Sequence, residues 1–159
     1  VPLNGYRAKN HPQQVAANGG GRAEVDDRAT TPEAFGALQA RFGFTIDVAA
    51  QTHNAKLPRF YSPEQDGLAQ SWAGERVWCN PPFSNIEPWI MKAWAETAAE
   101  LVVIIVPANR TELGWWQRWI EPYRDRRKSG LRVEFLPGRM RFIANGKTAV
   151  GPNERPLDL

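Results

Sequence analysis

Apolar residues along the chain follow two rhythms, one helical and one strand-like, and the order in which they alternate sets the expected fold. From Thr30 to Gly43 the rhythm is helical. Thr30-Thr31-Pro32-Glu33 supplies a threonine cap, a proline in the first turn and an early acid. Phe35, Leu38 and Phe42 then share a face, and Gly43 stops the helix. Phe44-Thr45-Ile46-Asp47-Val48 reads as a short buried strand, residues 49–58 as a short helix or loop, and Arg59-Phe60-Tyr61 as a second strand. Arg76-Val77-Trp78-Cys79 is a strand that runs directly into Asn80-Pro81-Pro82-Phe83. Behind it Ile86, Trp89, Ile90, Ala93, Trp94 and Thr97 recur at helical spacing. The unbroken run Leu101-Val102-Val103-Ile104-Ile105-Val106 has the pattern of a central parallel strand covered on both faces. A Trp-rich helix over residues 112–121 and two late strands, 132–136 and 140–143, complete the order. Strands alternating with helices predict an α/β fold, a mostly parallel, doubly wound sheet with helices on both faces. Ligands bind such sheets at the carboxyl ends of the strands. Asp47 and Asn80 both fall there.

Residues 1–29 carry no apolar period and include Gly19-Gly20-Gly21, so they are expected to form a flexible N-terminal arm. Residues 30–159 then make a single domain, and seven tryptophans in a chain that is 42% hydrophobic give it a real core. Cys79 is the only cysteine, which excludes an intrachain disulfide and a cysteine-based zinc site. His11 and His53 are far apart and lack ligand spacing, so no metal is expected. No run reaches the ~18 apolar residues of a membrane span, and the N-terminus has no secretory h-region. A reducing, cytoplasmic setting without a membrane partner follows. The net charge of +3 permits a polyanionic partner without demanding one.

Asn80-Pro81-Pro82-Phe83 carries the most chemical information. The Asn80 side-chain oxygen can accept a hydrogen bond from an amino group. Pro81 has no N–H to compete and offers its carbonyl as a second acceptor. Two acceptors on one planar amine draw its lone pair out of conjugation and aim it at an electrophilic methyl group. Phe83 offers a face on which an extruded base can stack. Positioning supplies most of the effect, so no nucleophilic side chain is required.

At these residues the sequence resembles the phage and prophage DNA N-6-adenine methyltransferases, a compact Dam-like family. The likeness runs through Thr31-Pro32, Phe44-Thr45-Ile46-Asp47-Val48-Ala49-Ala50 and Tyr61-Ser62-Pro63-Glu64-Gln65-Asp66-Gly67-Leu68 with Trp72. It continues through Val77-Trp78-Cys79-Asn80-Pro81-Pro82-Phe83, Pro107-Ala108 and Gly138-Arg139-Met140-Arg141-Phe142. The resemblance implies a Rossmann-like methyltransferase that transfers a methyl group from S-adenosyl-L-methionine to a flipped-out adenine in double-stranded DNA. It implies a phage- or prophage-encoded protein working in the cytoplasm of a bacterial host. By the same resemblance, Asn80, Pro81, Pro82 and Phe83 are the catalytic loop, and Asp47, Ala49 and Ala50 the cofactor loop. Asp66 meets the cofactor adenine with Leu68 packed beside it, and Thr31 and Pro32 lie near the methionine end. Three features depart from broader methyltransferase patterns. Ala49-Ala50 stands where many relatives carry Gly-x-Gly. Only 33 positions separate Asp47 from Asn80, so a strand and helix between them must be short or missing. A further apolar strand is expected over residues 151–159, and the residues there do not supply it.

Between Arg110 and Arg141 nine basic residues face four acidic ones. Arg110, Arg124, Arg126, Arg127 and Lys128 read either as a solvated loop or as phosphate contacts beside the catalytic rim. Trp115, Trp116 and Trp119 are candidates to fill the space of an extruded base, with Trp116 and Leu113 favoured as core. No separate target-recognition domain fits, which leaves segment 107–130, the arm or a second subunit of a homodimer to read DNA. Two other functions share these features: methylation of another planar amine, on an RNA base or a protein glutamine, and a catalytically inactive DNA-binding module.

Overall fold

The computed structural model describes residues 29–137 and the backbone of residues 142 and 143. Strand β1 (Ala29–Thr30) leads into helix α1 (Pro32–Phe42), which starts and stops as its sequence dictates. Thr31 is the N-cap, its Oγ1 accepting from the Ala34 amide at 3.4 Å, and Pro32 occupies the first turn, where its missing N–H costs nothing. Gly43 closes the helix in the left-handed conformation at φ 62°, its amide donating to the Gln39 carbonyl. The Gln39 side chain then pins the next residue by bonding both the amide and the carbonyl of Phe44.

Strands β2 (Ile46–Asp47), β3 (Arg76–Cys79) and β4 (Leu101–Ile104) form a three-stranded parallel sheet in that order. Asp47 lies opposite Trp78, and Cys79 opposite Ile104. Helix α2 (Glu87–Ala95) connects β3 to β4, and α3 (Gly114–Trp119) follows β4. A separate antiparallel pair joins β1 to β5 (Phe142–Ile143). The described chain is therefore a mixed α/β structure around a small parallel sheet.

Alternation along the strands sorts side chains to two faces. Ile46, Val48, Val77 and Cys79 cluster with Trp72 and with Trp89 of α2. On the opposite face Trp78 packs with Phe44 and with Phe35 of α1, and Val103 and Ile105 lie against them. One helix thus covers each face. Ile86 and Ile90 of α2 form a third cluster with Trp115, Trp116 and Ile120.

Several elements differ from expectation. The run 101–106 is not a central strand: among the described residues β4 lies at the sheet edge, half-buried, and β3 takes the middle. The predicted second strand shrinks to a single parallel bridge between Phe60 and Asp47. No helix lies between β2 and β3, as the short spacing from Asp47 to Asn80 required. Residues 132–136 form no strand, because no described segment pairs with them. Thr97 falls beyond the end of α2, and Leu113 is exposed rather than core. Of the final predicted strand, residues 142 and 143 pair with β1, while Met140 and Arg141 lie outside the described residues. Ala29, assigned to the arm, is ordered in β1; residues 1–28 lie outside the described set. Among the described residues no helix is long and apolar enough to cross a membrane.

Candidate active site at the strand ends

The parallel register creates the site. With Asp47 opposite Trp78, the alternation that buries Ile46, Val48, Val77 and Cys79 on one face turns Asp47 and Trp78, and after them Asn80, to the other. These residues and Ala49 line one shallow recess at the carboxyl ends of β2 and β3. Ala29 and Thr30 form another part of its wall, and Asn54 and Lys56, from the loop after β2, complete it. The expected convergence of Asp47 and Asn80 on one rim is what the structure shows.

Asp47 is only 2% exposed. Its Oδ1 accepts from the Ala49 amide at 3.3 Å and its Oδ2 from the Lys56 amide at 3.0 Å. Burial pushes its carboxyl above the usual carboxylate range, and the two amides and the Lys56 charge pull it back. Burial also lowers the Lys56 ammonium, against the attraction of Asp47. The recess therefore holds an acid and a cation, both partly removed from water. Thr30 is fully buried, and its Oγ1 has no hydrogen-bond partner among the described residues.

The other expected site residues do not line this recess. Pro81 is buried, and Pro82 begins a turn in which the Asn85 amide donates to its carbonyl. Phe83 is half-buried against the α2–α3 cluster. Ala50 is buried, its amide donating to the Tyr61 carbonyl. Thr31 spends its hydroxyl on the helix cap, and Pro32 is exposed in the first turn of α1. Asp66 is exposed at φ 53°, with its own Oδ1 accepting from the Leu68 amide at 3.1 Å. Leu68 packs on the core beneath β2. Gly67 between them touches the end of β2, where a Cβ would stand 2.1 Å from the Val48 carbonyl oxygen. The 66–68 turn thus abuts the strand that carries Asp47 without lining the recess.

The basic residues Arg110, Arg124, Arg126, Arg127 and Lys128 are all exposed. Arg124 pairs with Glu121 and Asp125, and Arg126 lies over the Tyr123 ring. Trp115 and Trp116 are buried in the core and not placed to fill a vacated base position. Trp119 is half-buried, its Nε1 donating to Glu87 on α2. Sequence reasoning missed Thr30, Asn54 and Lys56. Their signal, a polar side chain brought next to a strand end from elsewhere in the chain, is not local.

The sequence profile of the family described as DNA N-6-adenine-methyltransferase (Dam) matches residues 21–155. The chain belongs to this family. Over 66 residues it is 33% identical to the DNA N-6-adenine-methyltransferase of Haemophilus phage HP1 (strain HP1c1), covering 42% of this chain and 38% of that protein. Over 72 residues it is 36% identical to the DNA N-6-adenine-methyltransferase of Escherichia phage T1, covering 43% of this chain and 30% of that protein. These matches thus span about a third of each phage relative's length. No solved structure matches it.

Proposed function

We propose that this chain is a DNA adenine N6-methyltransferase with a Rossmann-like fold, using S-adenosyl-L-methionine and acting on a flipped-out adenine of double-stranded DNA. The observation that carries the reading is Asn80, standing at the end of β3 on the wall of the same recess as Asp47. Parallel strand ends are where α/β enzymes keep their ligands. The recess has the groups a zwitterionic cofactor needs: an acid, a cation and a buried hydroxyl without a partner among the described residues. The cofactor would supply an electrophilic methyl group, with Asp47, Ala49 and Ala50 at one end and Asp66 and Leu68 toward its adenine. Thr31 and Pro32 would lie near its methionine end. The Asn80 oxygen and the Pro81 carbonyl accept from the adenine amine and free its lone pair for attack. Pro82 stiffens the loop and Phe83 gives the base a face to stack on. Arg110, Arg124, Arg126, Arg127 and Lys128 hold the phosphate backbone. The setting is a phage or prophage in a bacterial cytoplasm, and a homodimer is one way to supply the rest of the DNA contact.

Single-turnover methylation of adenine-containing duplexes tests the reading. Asn80→Ala lowers the rate by roughly 100- to 1000-fold, the usual value of one positioned transition-state hydrogen bond. Cofactor affinity and the thermal melt stay near wild type. Near wild-type methylation by this variant would sink the mechanism, and a wild type that methylates RNA or a protein glutamine instead of DNA adenine would replace the substrate.

A further inference from the structure

We propose that Glu87 is a positioning residue for base capture: by clamping Arg118 and Trp119 it fixes α3 behind Phe83 and so sets the face on which the flipped base stacks. This rests on the role given to Phe83 above and adds Glu87 and Arg118 to the residues on which the reaction depends.

Phe83 takes its place from its neighbours. It is half-buried against a cluster that draws Ile86 and Ile90 from α2, and Trp115, Trp116 and Ile120 from α3 and the residue after it. The seat of Phe83 therefore depends on where α3 sits. Glu87 opens α2 directly behind the loop, joined to it by the turn in which the Asn85 amide donates to the Pro82 carbonyl. From there it reaches across to α3. Its Oε1 accepts from Arg118 Nε at 2.9 Å and from Trp119 Nε1 at 2.8 Å, and its Oε2 accepts from Arg118 Nη2 at 2.9 Å. The bonds from Arg118 and Trp119 hold the Glu87 carboxyl below the usual carboxylate range. The guanidinium has a prepared place, since it folds back over Gly114 at the start of its own helix. A Cβ there would stand 2.6 Å from Nη1. Exposure decides what the pair contributes. The Arg118 and Glu87 side chains are 60% and 33% exposed, and ion pairs so open to water add little to folding stability. Trp115 and Trp116 already bury α3 against α2. What a planar, two-pronged pair adds is orientation, and it adds it at the end of α2 nearest Phe83.

Single-turnover methylation of a long, unmethylated duplex at saturating cofactor, followed against DNA concentration, tests this. Base capture is a step within the DNA complex, so its loss lowers the plateau rate and leaves the half-saturating concentration alone. Glu87→Gln and Arg118→Gln should each lower the plateau about tenfold, within the range of one lost base-stacking contact. Half-saturating DNA should stay within about twofold of wild type, and thermal melts near it. Arg118→Gln carries the test if Glu87→Gln does not fold. Phe83→Ala should lower the plateau by a similar or larger factor. Adding Glu87→Gln to it should change the plateau by less than about twofold, because two changes that act through one group do not add. An unchanged plateau in folded Glu87→Gln, a loss in half-saturation alone, or losses that multiply in the double variant overturn the assignment and leave the methyltransferase reading standing. Phe83→Ala at the wild-type rate removes Phe83 from base capture, and this inference falls with it. A folded wild type that methylates no duplex DNA overturns the reading and the inference together.

Discussion

Asp66 has a turn role in the structure and a cofactor role in the proposal, and a pair of variants separates them. Its positive φ and its bond to the Leu68 amide make it a turn residue, while the family resemblance gives its carboxylate to the cofactor adenine. Glycine accepts φ 53° without strain and alanine does not. Asp66→Gly therefore removes the carboxylate and keeps the turn, whereas Asp66→Ala removes both. If the carboxylate is a ligand, both variants lose cofactor affinity by about 1.5–3 kcal/mol in calorimetric titrations. Wild-type affinity in Asp66→Gly assigns the residue to the turn alone. Asn80 differs in kind. Trp78, two residues earlier on the same face, is buried in the core and forms part of the recess wall, and Asn80 is the first polar residue on that face to reach it.

Among the elements, α3 departs most from its sequence reading. Its tryptophans invite an intercalating role, yet Trp115 and Trp116 pack against Ile86 and Ile90 of α2. Trp116 also donates from Nε1 to Glu121 at 2.8 Å. From α2, Glu87 binds Arg118 through both carboxylate oxygens and Trp119 through one. α3 is thus fastened to the helix that follows the Asn80 loop, and it holds the basic loop after it. Trp116→Ala should cost about 3–5 kcal/mol of folding stability, the usual loss for emptying a buried tryptophan site. Urea unfolding checks it. A variant of unchanged stability that binds DNA more weakly would return Trp116 to the interface.

At the scale of the whole molecule, the basic loop after α3 is the part to test against a polyanion. Arg124 is already paired with Glu121 and Asp125, whereas Arg127 and Lys128 enter no ion pair among the described residues. The loop that carries them is stitched by Ser129, whose hydroxyl donates to the Tyr123 and Arg126 carbonyls. Replacing Arg126, Arg127 and Lys128 with alanine should weaken DNA binding at low salt and lower the slope of log affinity against log salt by up to ~3 units. Turnover at saturating DNA should hold. An unchanged slope makes the segment a solvated loop. Arg124→Ala should have a smaller effect, since its acidic neighbours already offset its charge.

What the sequence determined by itself was local. The Thr31 cap, Pro32 and Gly43 set the limits of α1, because they satisfy or excuse the end groups of that helix and of no other segment. Arg76–Cys79 and the loop after it were legible because an apolar strand ending in Asn-Pro-Pro has few conformations open to it. The spacing from Asp47 to Asn80 announced the missing helix. Only the tertiary structure decided which strand sits in the middle of the sheet. The run 101–106 is apolar enough for that place, but strand order depends on pairing partners distant in sequence, and β3 takes it. Residues 132–136 likewise have a strand's composition and no strand beside them among the described residues. Thr30, Asn54 and Lys56 reach the recess because β1 and the loop after β2 fold back on the strand ends. Composition and periodicity record which residues prefer burial or a turn; they do not record which distant segments meet, and the recess is made of such meetings.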